Sequence, residues 1–303
     1  MASSAIKNVL VVGVTGNVGK STVKALLEEQ FQVTGLSRQP SAAGLPASVK
    51  YIQTDYSQSS LLAAFNGQDA VISTVSSVVP GALELQKTLI DAAVAAGVKI
   101  FVPSEYGVDT SNRSAPDYIP FLAGKIAVAD YLKEQQDKIA WIALITGSLF
   151  DWGLNIPTFA GWNVDARTVT LYDGGATPYE ATTLDQVGRA IAKSLKKPGL
   201  TKNQYVYVNS FTVTQCEVLR ALEKVTGDKF SVSHSTVEDL WQSGAAQVKA
   251  GQPLGVMGML AGTIYGRGGL ANYSATKGLW NERIGLAQEN LEEFLKGYIA
   301  GKK

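Results

Sequence analysis

The stretch Val9-Leu10-Val11-Val12-Gly13-Val14-Thr15-Gly16-Asn17-Val18-Gly19-Lys20 joins an apolar run to a glycine-spaced turn and a helix-like segment. That spacing suits a pyrophosphate. Gly13 permits a tight turn off a strand, Gly16 lets the backbone approach a phosphate, and Gly19 lets the new helix pack closely on a sheet. The helix N-terminus then offers free N–H groups and a partial positive charge. Thr15, Asn17 and Val18 complete the candidate phosphate loop.

A chain that binds NAD usually places an acidic residue about 20 positions further on, against the adenosine ribose. Here that segment reads Gly35-Leu36-Ser37-Arg38-Gln39-Pro40, with no carboxylate. A guanidinium grips phosphate through paired N–H donors, so Arg38 favours NADP(H), the alternative being a solvated loop charge. Asp55 is open to two uses, contact with an adenine amino group or capping of the helix-like segment that follows it.

Other chemistries find little support. Cys216 is the only cysteine and His234 the only histidine, so no intrachain disulfide and no metal site are expected. A net charge of +1 with 46% hydrophobic residues makes no electrostatic case for nucleic acid or an anionic membrane. Met1 to Lys7 lacks the apolar core of a signal peptide, and no run of about 18 apolar residues offers a membrane span. The expectation is a cytoplasmic monomer or homodimer acting on a small molecule.

The elements that must position these residues alternate along the chain. Strand-like runs at Val9–Val12, Gln32–Leu36, Tyr51–Ile52, Ala70–Thr74, Ile100–Pro103 and Trp141–Ile145 are separated by helical segments. One of these, Leu83 to Ala96, carries Leu85, Leu89, Ala92, Ala93 and Ala96 on one stripe and meets Gly97 as a C-cap. The pattern predicts an α/β protein of the Rossmann type, a doubly wound parallel sheet in the order 3-2-1-4-5-6. Its ligand crevice lies at the carboxyl ends of the strands, where Thr74, Ser104, Thr146, Ser148 and Phe150 become candidate cofactor contacts.

The cofactor domain is expected over residues 1–152. A smaller mixed α/β substrate lobe, interleaved with it, is expected over 153–303. Short strands (Thr168–Leu171, Gln204–Asn209) and helices (Leu184–Leu195, Gln215–Thr226, Leu286–Ala300) belong to this second part, and the glycine-rich span 251–269 reads either as a mobile loop over the site or as a plain surface connection.

The loop Gly13 to Gly19, the Ser37-Arg38 strand end, Val102-Pro103-Ser104-Glu105-Tyr106-Gly107, Lys125 in a helix and Thr146-Gly147-Ser148-Leu149-Phe150 together resemble the NmrA-like group of atypical short-chain dehydrogenases/reductases, and within it the isoflavone reductase-like enzymes. The likeness covers the first half of the chain in order. Ordinary short-chain dehydrogenases place a proton-donating tyrosine four residues before the lysine. Here that position is Phe121, so this mechanism is excluded at the site; Tyr118 is separated from Lys125 by Pro120.

The resemblance implies that Lys125 is itself the general acid/base, with binding of the nicotinamide ribose as its alternative role. Desolvation would lower a lysine pKa toward the range such work requires. Ser104, Glu105 and Tyr106 fall beside the expected nicotinamide position, where Glu105 either anchors the loop or transfers protons. Tyr106, Phe150, Trp152, Phe159 and Trp162 are the candidate substrate contacts, an aromatic set that either stacks a planar substrate or fills core. The expected activity is NADPH-dependent reduction of a small aromatic or phenolic metabolite. The resemblance also admits a non-catalytic NAD(P)-sensing regulator that binds a protein partner, although sensors of that type typically lack the lysine.

Overall fold

The computed structural model describes residues 5–41 and 44–302. Six parallel strands, β1 (Asn8–Val12), β2 (Gln32–Ser37), β3 (Lys50–Gln53), β4 (Ala70–Ser73), β5 (Ile100–Val102) and β6 (Ala140–Ile145), lie in the order 3-2-1-4-5-6. A seventh, Gln204–Tyr207, adds parallel to β6, pairing Gln204 with Ile142 and Tyr207 with Ile145. This strand and the helix Leu184–Lys196 stand in the main sheet's layers, although the sequence reading grouped them with the substrate lobe. The strand itself is legible, but alternation fades past residue 150, and a strand that returns after a long excursion carries no local mark of its partner.

Between the strands run α1 (Asn17–Glu28), α2 (Gln58–Phe65), α3 (Ala82–Ala95), the single turn α4 (Ala115–Tyr118) and α5 (Leu122–Glu134). Helices α2, α3 and α5 cover one face of the sheet, while α1 and Leu184–Lys196 cover the other. Burying both faces requires strands that are apolar throughout, and the last four residues of β1 and all four of β4 are buried. Helix α3 stops where expected. Gly97 takes φ 72°, and the N–H of Val98 returns to the Ala93 carbonyl at 3.0 Å.

The second lobe has its own core around two small sheets. One orders Phe211–Val213, Tyr179–Thr182 and Ser148–Leu149; the other orders Ser231–Ser235, Thr168–Tyr172 and Trp162–Asn163. The span 251–269 is largely helical, with a helix at Val256–Ile264 packed on Val237–Lys249. Two of its glycines serve close contact: a Cβ on Gly255 would collide with the Gly244 carbonyl oxygen, and one on Gly262 would lie 3.0 Å from Trp241 Cβ. The C-terminal helix begins at Leu291, later than the pattern suggested, because Asn290 caps it by accepting the Glu293 N–H.

Candidate active site

The turn after β1 is built from close backbone approach. Gly13 sits at φ 81° and donates its N–H to the Leu36 carbonyl at 2.8 Å. A Cβ on Gly19 would come within 2.5 Å of the Gly13 carbonyl oxygen, so α1 can start this close to the loop only with glycine there. Gly16 is the N-cap and supplies no side chain, and the first turn holds no acidic residue. The leading N–H groups of α1 thus keep their capacity for an anion.

They face an open cleft of about 880 Å³ lined by Gly16, Asn17, Val18, Thr74, Ser104 and Lys125, among others. Two of these hydroxyls fix the backbone around it. Thr74 Oγ1 lies 2.8 Å from the Val12 carbonyl and 3.1 Å from that of Gly13, and Ser104 Oγ donates to the Val75 carbonyl at 2.7 Å.

Thr15 Oγ1 stands 3.5 Å from Ser37 Oγ, tying the glycine loop to the end of β2. Arg38 follows, exposed, with its guanidinium carbon 5.6 Å from the centre of the Tyr56 ring. Asp55 is occupied locally. One of its carboxylate oxygens accepts the Ser57 N–H at 2.9 Å and the Ser57 hydroxyl at 2.7 Å, bonds that hold its pKa near 2. Ser57 is in turn the N-cap of α2, so Asp55 braces a helix start.

A second space adjoins the cleft. It spans about 660 Å³, open on one side to solvent, among Tyr106, Gly107, Val108, Phe121, Leu122, Lys125, Ser148, Trp152, Phe159, Leu260 and Ile264. Trp152 and Phe159 meet edge to face with centroids 5.5 Å apart. Tyr106 forms a fixed wall: its hydroxyl donates to the Ser73 carbonyl at 3.1 Å, and burial raises its pKa. Phe150 and Trp162 lie elsewhere. Phe150 packs on Phe211 and Phe294 in the lobe core, and Trp162 Nε1 donates to the Tyr265 hydroxyl at 3.1 Å. Thr146 is fully buried beneath the site, its hydroxyl without a partner.

Lys125 belongs to the walls of both spaces. The residue is half-buried, and its ammonium donates to the Glu105 backbone carbonyl. Burial lowers its pKa, and the Glu105 carboxylate opposes that shift. Glu105 is itself buried, which raises its pKa. Its side chain accepts the Thr110 hydroxyl at 2.7 Å, a bond that anchors the loop after β5. Tyr118 points away, its ring against Gly268 and its carbonyl accepting Trp241 Nε1 at 2.9 Å.

The sequence reading did not include Val78, Leu260 and Ile264 in the chamber. Val78 carried a signal, since Val78 and Val79 form an apolar pair in a turn-rich loop and remain 56% and 51% exposed. Among the described residues no cluster of metal-ligating side chains occurs, and no helix is long and apolar enough to cross a membrane.

A lysine held between a helix N-terminus open to an anion and an apolar chamber is the arrangement of a dinucleotide-dependent oxidoreductase. Known proteins agree with that class. Residues 5–263 match the NmrA-like family, and the chain belongs to it, among oxidoreductases of the isoflavone reductase type. It is 34% identical over 298 residues to oxidoreductase aprR of Aspergillus flavus, covering 97% of this chain and 99% of that protein. Its fold matches a ternary complex of leucoanthocyanidin reductase from Vitis vinifera with a TM-score of 0.79 at 20% identity, over 97% of this chain and 99% of that one. The structure of AtPrR2 with NADP+ and (+)pinoresinol matches with a TM-score of 0.76 at 23% identity, over 98% and 100%.

Proposed function

We propose that the protein is an NADPH-dependent reductase of a small aromatic or phenolic metabolite, with Lys125 as its general acid/base. The observation that carries this reading is the place of Lys125 on the wall common to the polar cleft and the apolar chamber.

The chain's own groups fit the dinucleotide. The N–H groups at the start of α1 would hold the pyrophosphate, and Arg38 would meet the 2′-phosphate. When bound, the cofactor supplies a hydride. Similar proteins are consistent with this choice, since the AtPrR2 structure contains NADP+ together with (+)pinoresinol. Trp152 and Phe159 offer aromatic surface to a planar ring, and the apolar lining excludes water from the reacting atoms. Lys125 then releases a proton from Nζ to the negative charge that reduction creates, a transfer eased by the burial that weakens its hold on that proton.

The test is NADPH consumption over a panel of phenolic ketones, enones and quinones, repeated with Lys125→Met on any compound turned over. The variant should lose about 10²-fold or more in kcat while binding NADPH within a few-fold of the wild type. Full turnover by Lys125→Met would remove the lysine from the chemistry. A non-catalytic sensor gains no specific support, because both the lysine and an apolar chamber beside it are in place.

A further inference from the structure

Lys125 also borders a third space that neither the cleft nor the chamber explains. A small cavity adjoins it, sharing Ser104, Glu105 and Lys125 with the wall of the cleft, adding Gln86 of α3 and Gly124, and reaching the half-buried Ser77 and Leu83. It has room for about one water molecule. Gln86 is only 4% exposed; its Nε2 donates to Ser73 Oγ at 2.7 Å, and its Oε1 has no partner. Turning the amide over changes which atom meets Ser73 and still leaves the other end bare. A buried amide group in that condition calls for a bound water, and the cavity provides a second polar wall in Lys125.

We propose that this cavity holds a resident water, positioned by Gln86, that restores the proton Lys125 gives up in each turnover. The inference rests on the acid/base reading of Lys125. Once Nζ has released its proton it is a neutral amine with a free lone pair. The water gives one O–H proton to that nitrogen and takes one from solvent at the Ser77 and Leu83 end. Water is regenerated, and each cycle draws a single proton from bulk. An apolar substrate would close the chamber to this exchange and a dinucleotide would close the cleft, which leaves the small cavity and its Leu83 end as the route. Glu105 supplies the charge that bears on Lys125. One of its carboxylate oxygens accepts the Thr110 hydroxyl, which fixes the group in place.

Gln86 is therefore a positioning residue, and Gln86→Met removes its polar end at similar volume. Two measurements test the assignment. A crystal structure of the wild-type protein that resolves ordered water should show density within hydrogen-bond reach of both Gln86 Oε1 and Lys125 Nζ. In protein labelled with ¹⁵N-lysine, the Lys125 resonance, assigned by its loss in Lys125→Met, should titrate about half a pH unit or more lower in Gln86→Met, because the ammonium loses an acceptor. An empty wild-type cavity overturns the proposal, and so does an unchanged midpoint in Gln86→Met. Turnover retained by Lys125→Met would instead defeat the acid/base reading, while the wild-type density still reports on the water, so the two fail separately.

Discussion

Lys125 holds its charge against burial, and that tension sets two measurable slopes. In the proposed role of general acid it must be protonated, so turnover should decline as pH rises through its lowered pKa. For stability the sign runs the other way. The unfolded lysine keeps its proton to higher pH than the folded one, so between the two values unfolding takes up a proton and stability increases with pH. Below that window the cost of the buried charge is present in full. Lys125→Met should accordingly melt about 2 °C above the wild type at neutral pH, an advantage that narrows as pH approaches the ordinary lysine range, as thermal scans across pH would show. Arg38→Ala should weaken NADPH binding by about 10- to 100-fold and leave NADH nearly unaffected, a contrast that titration calorimetry resolves. Arg38 draws attention in the sequence as a guanidinium at a strand end that lacks a carboxylate, and Lys125 through the family resemblance. The aromatic residues were harder to sort. Phe150 and Trp152 sit two apart in the helix Phe150–Leu154, where side chains diverge by about 200°, so one enters the lobe core and the other the chamber.

Among the elements, the pair formed by α1 and Leu184–Lys196 bears most directly on cofactor binding. A Cβ on Gly188 would lie 2.3 Å from the Ser21 carbonyl oxygen, so the helices touch through backbone. Asp185 reinforces the contact from the first turn of its helix through Lys24, and Lys193 pairs with Glu29 at 2.6 Å. Gly188→Ala should cost roughly 1–3 kcal/mol in urea denaturation. It should also weaken NADPH binding, since α1 carries the phosphate loop. Neither effect would follow if this glycine were there for flexibility. The same ambiguity leaves residues 251–269 open in the sequence between a mobile loop and a surface connection. Glycine in sequence signals either a turn or a close contact, and only the partner helix decides; here Gly244 and Gly255 meet backbone to backbone, and Gly262 lies against Trp241. The six-strand order was readable because apolar runs alternate with helical crossovers, whereas the pairing of Gln204–Tyr207 is set by the open edge of β6, a long-range cause with no local pattern.

For the whole molecule, that seventh strand decides what can fold alone. Residues 1–152 would leave the β6 edge unpaired and the apolar stripe of α1 uncovered, since Val187, Ala190 and Ile191 complete the core on that face. Expressed separately, this fragment should be aggregated or molten, with weak near-ultraviolet circular dichroism. The full chain should unfold in one calorimetric transition; two resolved transitions would mean that the lobes are independent. There is also a consequence for the order of events on the ribosome. Asn203 and Trp141 bond to one another across 62 positions of sequence. At synthesis rates of about 5–20 residues per second, the edge of β6 waits roughly 3–12 s for its neighbour to be made. A nascent chain paused within that interval displays a bare strand and an oily helix together, the features that chaperones hold and that neighbouring nascent chains can capture.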